Sequence, residues 1–77
     1  MGLEAVFGAN VRRLRKAQGL TQEQLAHDVG LAPSYLGQLE RGQRSATLGV
    51  VQRVCERLGA EAADMLTPPT QGQAAST

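Results

Sequence analysis

The stretch GLTQEQLAHDVGLAPSYLGQLERG, residues 19–42, decides how this 77-residue chain folds. Gly19, Gly30 and Gly42 divide it into two short segments, and glycine readily ends a helix in the left-handed conformation. In the first segment Thr21 has N-cap chemistry, because its hydroxyl accepts a bond from an orphan backbone N–H. Gln24 follows three residues later and completes a capping-box pattern. Leu25, Ala26 and Val29 form one apolar stripe, so a helix of about two turns runs up to Gly30. A further helix starts near Ala32–Pro33, since proline suits the first helical position, where its missing N–H costs nothing. Leu36 and Leu39 face inward, and Gly42 closes the segment. Two short helices joined by Gly30–Leu31 result.

Working outward, a first helix spans about Leu3 to Ala17, with Phe7, Val11 and Leu14 on one face at steps of four and three. Downstream, the polar stretch Gln43–Ala46 leads to a fourth helix with Thr47 as its N-cap. Leu48, Val51, Val54, Cys55 and Leu58 are its expected buried stripe, and Gly59 ends it. A short fifth helix over about Ala62–Leu66 stops before Pro68 and Pro69, which cannot continue one. Nothing alternates as a half-buried strand would, and there is no internal repeat. The reading is an all-α five-helix domain over residues 1–66. The remaining TPPTQGQAAST, residues 67–77, has no hydrophobe to anchor it and is expected to be a disordered tail.

A chain of this length makes one domain at most and buries only about 60% of its unfolded surface. Its single cysteine, Cys55, allows no internal disulfide. Structural zinc is excluded, because about four closely spaced Cys/His ligands are needed and only Cys55 and His27 are present. Apolar runs fall far short of the roughly 18–20 residues that cross a bilayer, and the N-terminus lacks a signal-peptide pattern. A soluble cytoplasmic protein with a reduced thiol is expected.

Net charge is +1 from eight basic and seven acidic residues, but the charges are segregated. Arg12, Arg13, Arg15 and Lys16 outweigh Glu4 in the first twenty residues. Glu23, Asp28 and Glu40 make the next twenty acidic. Arg41, Arg44, Arg53 and Arg57 then outweigh Glu56. Two basic clusters fit a polyanionic partner, although solvated surface also produces them. No catalytic constellation accompanies them: His27 has no triad around it, no glycine-rich loop cradles a phosphate, and the carboxylates lack metal-ligand spacing. His27 reads as a solvated side chain and Cys55 as a small core residue. The protein reads as a non-enzyme without metal, cofactor or small-molecule ligand.

What remains is a pair of short helices between a basic first helix and an apolar fourth one, the arrangement of a helix-turn-helix unit. Leu14-Arg15-Lys16, Gly19-Leu20-Thr21-Gln22-Glu23, Leu25-Ala26, Val29-Gly30-Leu31 and Leu39-Glu40-Arg41-Gly42 resemble successive signatures of the phage-repressor (Cro-like, Xre) helix-turn-helix regulators. Leu48, Val54 and Leu58-Gly59 continue the likeness, which covers residues of about 7–66. Around Tyr35, Glu40-Arg41-Gly42 and Arg44 the chain is also similar to the small controller proteins of restriction–modification systems.

The resemblance implies a lambda-repressor-like fold and a sequence-specific transcriptional regulator in a bacterial or phage cytoplasm, associated with the nucleoid. It implies double-stranded DNA as partner and helix 3 in the major groove, with Pro33, Ser34, Gly37 and Gln38 facing the bases. Gln38 is the best reader, since an amide bonds adenine N6 and N7 together. Pro33 and Gly37 offer no donor, which leaves a share of specificity to DNA shape. Ala32 departs from the family's Ser/Thr N-cap. Gln22, at a helix N-terminus that favours anions, is a phosphate contact. Tyr35, Arg44 and Arg12 are further backbone contacts, with partial packing the alternative for Tyr35. Arg41 either holds a phosphate or is solvated, and Arg53 and Arg57 read as solvated. Arg15 and Glu40 match an internal ion pair between helices 1 and 3.

Family operators have two half-sites about one helical turn apart, which implies a homodimer. Val50, Met65 and Leu66 are the apolar residues left over, a dimer interface unless they close the core around the C-terminal helix. No sensor domain or ligand pocket fits in the chain, so control is expected through its own concentration. The rival class is an antitoxin-like module whose main partner is a protein, with the tail from Thr67 as its binding segment.

Overall fold

The computed structural model describes residues 2–68. Its helices are α1 (Leu3–Ala17), α2 (Gln22–Val29), α3 (Pro33–Glu40), α4 (Leu48–Leu58) and α5 (Ala62–Met65), with no strand among the described residues. The expected disorder of the tail lies outside them from residue 69 onward. Thr67, assigned to that tail, belongs to the folded domain: its hydroxyl donates to the Ala63 carbonyl and its own carbonyl accepts from Asn10.

Local chemistry accounts for the boundaries. Thr21 accepts from the Gln24 backbone N–H while the Gln24 side chain accepts from the Thr21 N–H, so both halves of the capping box are made. Thr47 accepts from the Val50 N–H at the start of α4. Ala32 supplies no side-chain cap to α3, which begins instead on Pro33. Gly30 and Gly59 end α2 and α4 in the left-handed region. Gly42 sits there too, at φ +73°, and its backbone lies against Ala5 of α1, where a Cβ would come within 2.9 Å of the Ala5 Cα.

Phe7 and Val11 of α1, Leu25, Ala26 and Val29 of α2, Leu36 and Leu39 of α3, and Val50, Val54, Cys55 and Leu58 of α4 share one core with Met65. Two expectations are corrected here. Leu48, assigned inward, is 87% exposed, whereas Val50, left over from the sequence pattern, is only 7% exposed. Met65 is 1% exposed beneath α1 and α4, so neither Val50 nor Met65 is available to another subunit. Of the three residues assigned to a dimer surface only Leu66 remains outside, 39% exposed in the turn after α5.

α1 crosses α3 closely because Gly8 has no side chain. A Cβ there would stand 2.0 Å from the Leu39 carbonyl oxygen and 2.9 Å from that of Glu40. Asn10, two residues further along, is wholly buried: its amide donates to the Met65 carbonyl at 2.8 Å and to that of Thr67 at 2.9 Å, holding the end of α5 against α1. The buried Cys55 thiol is pushed above its ordinary pKa by burial and, secondarily, by the Glu61 carboxylate.

Candidate nucleic-acid interface

α2 and α3 pack against each other and against the rest of the core, which leaves the N-terminal end of α3 facing outward. Pro33 and Ser34 are exposed there, beside Thr21, Gln22 and Glu23 at the start of α2, and together they line a shallow groove. Gln38 is half-buried on the same helix. Gly37 is not base-facing as expected: it is buried, with Arg41 Nη1 at 3.3 Å and the Gln22 amide at 3.6 Å from where its Cβ would be. Those side chains close over it.

Beneath this surface Arg15 and Glu40 meet. Arg15 Nε donates to Glu40 Oε2 at 2.7 Å and its Nη2 to Oε1 at 3.0 Å, a two-point pairing with both side chains buried. Arg15 Nη1 also donates to the Leu20 carbonyl at 2.9 Å. Gln22 Nε2 joins the cluster by donating to Glu40 Oε1 at 2.9 Å. Arg15 and Glu40 together thus tie α1, the α1–α2 turn and the first residue of α2 to the end of α3. The sequence reading has Gln22 only as a phosphate contact; one of its amide hydrogens is committed to Glu40, and the other is not. Sequence spacing alone gave no signal of that bond, since the partners stand eighteen residues apart.

Three of the residues assigned to the phosphate backbone come together: Arg12, Gln22 and Arg41 line one cleft of about 220 Å³ with Arg15 and Glu40 at its floor. Arg12 and Arg41 are exposed at its edge. Arg15 and Glu40 neutralise each other, so the free charge at this cleft is positive. Tyr35 is half-buried against the core, and its hydroxyl donates to the Ser45 carbonyl over a long 3.5 Å. Packing and an outward edge therefore coexist in Tyr35. The Arg44 guanidinium lies over the Tyr35 ring, 5.3 Å from its centroid, and Nε donates to Gln38 Oε1 at 2.9 Å. Ser45 donates to Glu4 at 2.9 Å, fastening this loop to the start of α1. The Glu4 carboxyl is held below its ordinary pKa by its own backbone N–H and by the Ser45 hydroxyl.

Arg53 is exposed, as expected. Arg57 is not simply solvated: its Nε donates to Asp28 at 2.7 Å, joining α4 to α2, and this bond lowers the Asp28 pKa. His27 is exposed beside them. No group of three or more potential metal ligands occurs among the described residues, and no helix there is long and apolar enough to cross a membrane.

Comparison with known proteins places this geometry in context. The helix-turn-helix family signature matches residues 11–65. The HTH-type transcriptional regulator y4dJ of Sinorhizobium fredii is 35% identical over 68 residues, 88% of each chain. The control protein C.BamHI of Bacillus amyloliquefaciens is 31% identical, over 91% of this chain and 88% of its own. The crystal structure of the restriction–modification controller protein C.AhdI from Aeromonas hydrophila superposes with a TM-score of 0.76 at 40% identity, over 80% of this chain and 94% of that one.

Proposed function

The chain belongs to the helix-turn-helix family of DNA-binding transcriptional regulators, a family of non-enzymatic proteins, and on that premise we propose that it binds a two-half-site operator as a homodimer with α3 in the major groove. The observation that carries the reading is the joint placement of an uncovered α3 N-terminus and a positive cleft beside it. Pro33 and Ser34 meet the groove floor, the first through apolar contact and the second through its hydroxyl. Gln38 reaches a base edge from the next turn.

Arg12, Arg41 and the free hydrogen of the Gln22 amide take phosphates on the flank, where backbone contacts set register without carrying sequence information. Arg15 and Glu40 stay internal and hold the two helices at their angle. The dimer surface shifts from the residues first assigned to it: Leu48 opens α4, Leu66 follows α5, and these two helices pack on each other. Their exposed leucines are the apolar residues we assign to the contact with a second copy; the third exposed leucine, Leu3, stands apart in sequence at the start of α1.

Affinity for operator and random duplexes, measured over a range of salt concentrations, tests the reading. Arg12 and Arg41 in each subunit neutralise about four phosphates per dimer, so log affinity should fall against log salt with a slope near −3.6 from these contacts alone. Binding whose affinity is insensitive to salt, or no binding to duplex DNA at low salt, refutes it.

A further inference from the structure

We propose, on the footing that α3 reads DNA as above, that Arg44 sets the base preference of Gln38, converting an adenine-reading amide into half of a donor-only pair suited to guanine. Adenine is read by both ends of an amide: the carbonyl accepts from the N6 amino group while the NH₂ donates to N7. In this protein the carbonyl end is engaged, because Arg44 Nε donates to Gln38 Oε1 at 2.9 Å. The orientation of the amide follows from its partner. A guanidinium carries donors and no acceptor, so only the oxygen can face it.

Tyr35 holds the same guanidinium from a second side, with the charged carbon 5.3 Å from the ring centroid, within cation–π range. So fixed, Arg44 keeps its terminal nitrogens and Gln38 keeps its NH₂, and the edge they present together consists of N–H groups. Gln38 Oε1 retains a second lone pair. An adenine amino group approaching it would nevertheless meet the guanidinium alongside, donor against donor. Guanine presents N7 and O6 to the major groove, two acceptors and no donor. It is the base edge complementary to this pair. Arg44 therefore acts on specificity beside Gln38 as well as through it, which replaces its assignment to the sugar–phosphate backbone.

Selection of bound sequences from a random duplex pool tests this with wild type, Gln38→Ala and Arg44→Ala, each checked for an unchanged melting temperature. The position read by Gln38 is the one at which Gln38→Ala lowers enrichment. Wild type should prefer guanine over adenine there by about tenfold, within the range of a two-point base contact. Arg44→Ala frees the Gln38 oxygen, so the preference at that position should move to adenine while other positions keep theirs. Adenine preferred by the wild type, or a guanine preference untouched by Arg44→Ala, overturns the inference. If the wild type enriches no sequence at all, the DNA-reading premise fails instead, and the two failures are thereby told apart.

Discussion

Arg15 shows how one side chain joins three elements. It sits on α1, yet its guanidinium satisfies both oxygens of Glu40 and the Leu20 carbonyl. A buried ion pair adds little net stability over an apolar pair, but removing one partner strands a charge at a cost of about 3–5 kcal/mol. Arg15→Ala should therefore lower the melting temperature by at least about 12 °C, given 4–8 °C per kcal/mol in a domain of this size. Glu40→Ala should do likewise, because it leaves both Arg15 and Gln22 without their acceptor. The double variant should lose far less than the two single losses together. Additive losses in thermal melts would mean that the pair does not act as a unit. Cys55 makes a smaller prediction. Its pKa is raised in the folded chain, so the unfolded chain gives up the thiol proton first. The thiol's contribution is whole below the unfolded value of about 8.5 and is lost as pH rises through the folded one. Stability measured by denaturant should fall more steeply above about pH 8.5 in the wild type than in Cys55→Ala. Parallel curves would remove Cys55 from the account.

At the scale of helices, the crossing of α1 over α3 depends on an absent side chain. Glycine within a helix normally costs about 0.5–1 kcal/mol relative to alanine, so Gly8→Ala ought to stabilise α1. The Leu39 carbonyl in the space a Cβ would take reverses that expectation. Gly8→Ala should destabilise the domain by about 1–3 kcal/mol, the usual cost of overpacking; an equal or higher melting temperature would show that α1 and α3 can separate freely. Gly8 was illegible in the sequence because a close approach between helices leaves no local pattern. The helix starts and stops were legible, since capping by Thr21 and Thr47 and termination by Gly30 and Gly59 are local chemistry. The phase of α4 was read only in part. Leu48 and Val50 stand about 160° apart on opposite margins of one apolar face, at 100° per residue. Periodicity finds the centre of such a face, here Val54 and Leu58, but which margin is covered depends on the neighbouring helices. The recognition surface divides the same way. The exposure of Pro33 and Ser34 and the Arg15–Glu40 pairing were implied by the family resemblance, whereas the burial of Gly37 and the bonds from Gln22 to Glu40 and from Arg44 to Gln38 depend on side chains meeting across turns.

For the whole molecule, the apolar side chains that the core leaves outside are the ones open to the proposed contact between copies. Leu48 is 87% exposed and Leu66 is 39% exposed, while the aliphatic side chains of Val50 and Met65 are spent inside the chain. These two leucines stand on α4 and just past α5, whereas the basic cleft is lined by Arg12 on α1 and Arg41 at the end of α3. In the dimer proposed here, contact through these leucines would leave both α3 surfaces to the DNA, as an operator with repeated half-sites requires. Burying a leucine is worth about 1.5–3 kcal/mol, and two-fold symmetry counts each one twice. Leu48→Ser should therefore raise the dimer dissociation constant by about a hundredfold or more, as read by sedimentation equilibrium. Leu66→Ser should act in the same direction and by less, since that side chain is already partly covered. Neither change touches the core, so melting of the dilute monomer should stay within about 0.5 kcal/mol of the wild type. Operator affinity should fall along with dimerisation, while binding to a single half-site should not change. A wild type that stays monomeric at tens of micromolar, or dimerisation indifferent to Leu48→Ser and Leu66→Ser alike, would place the contact between copies elsewhere on the surface.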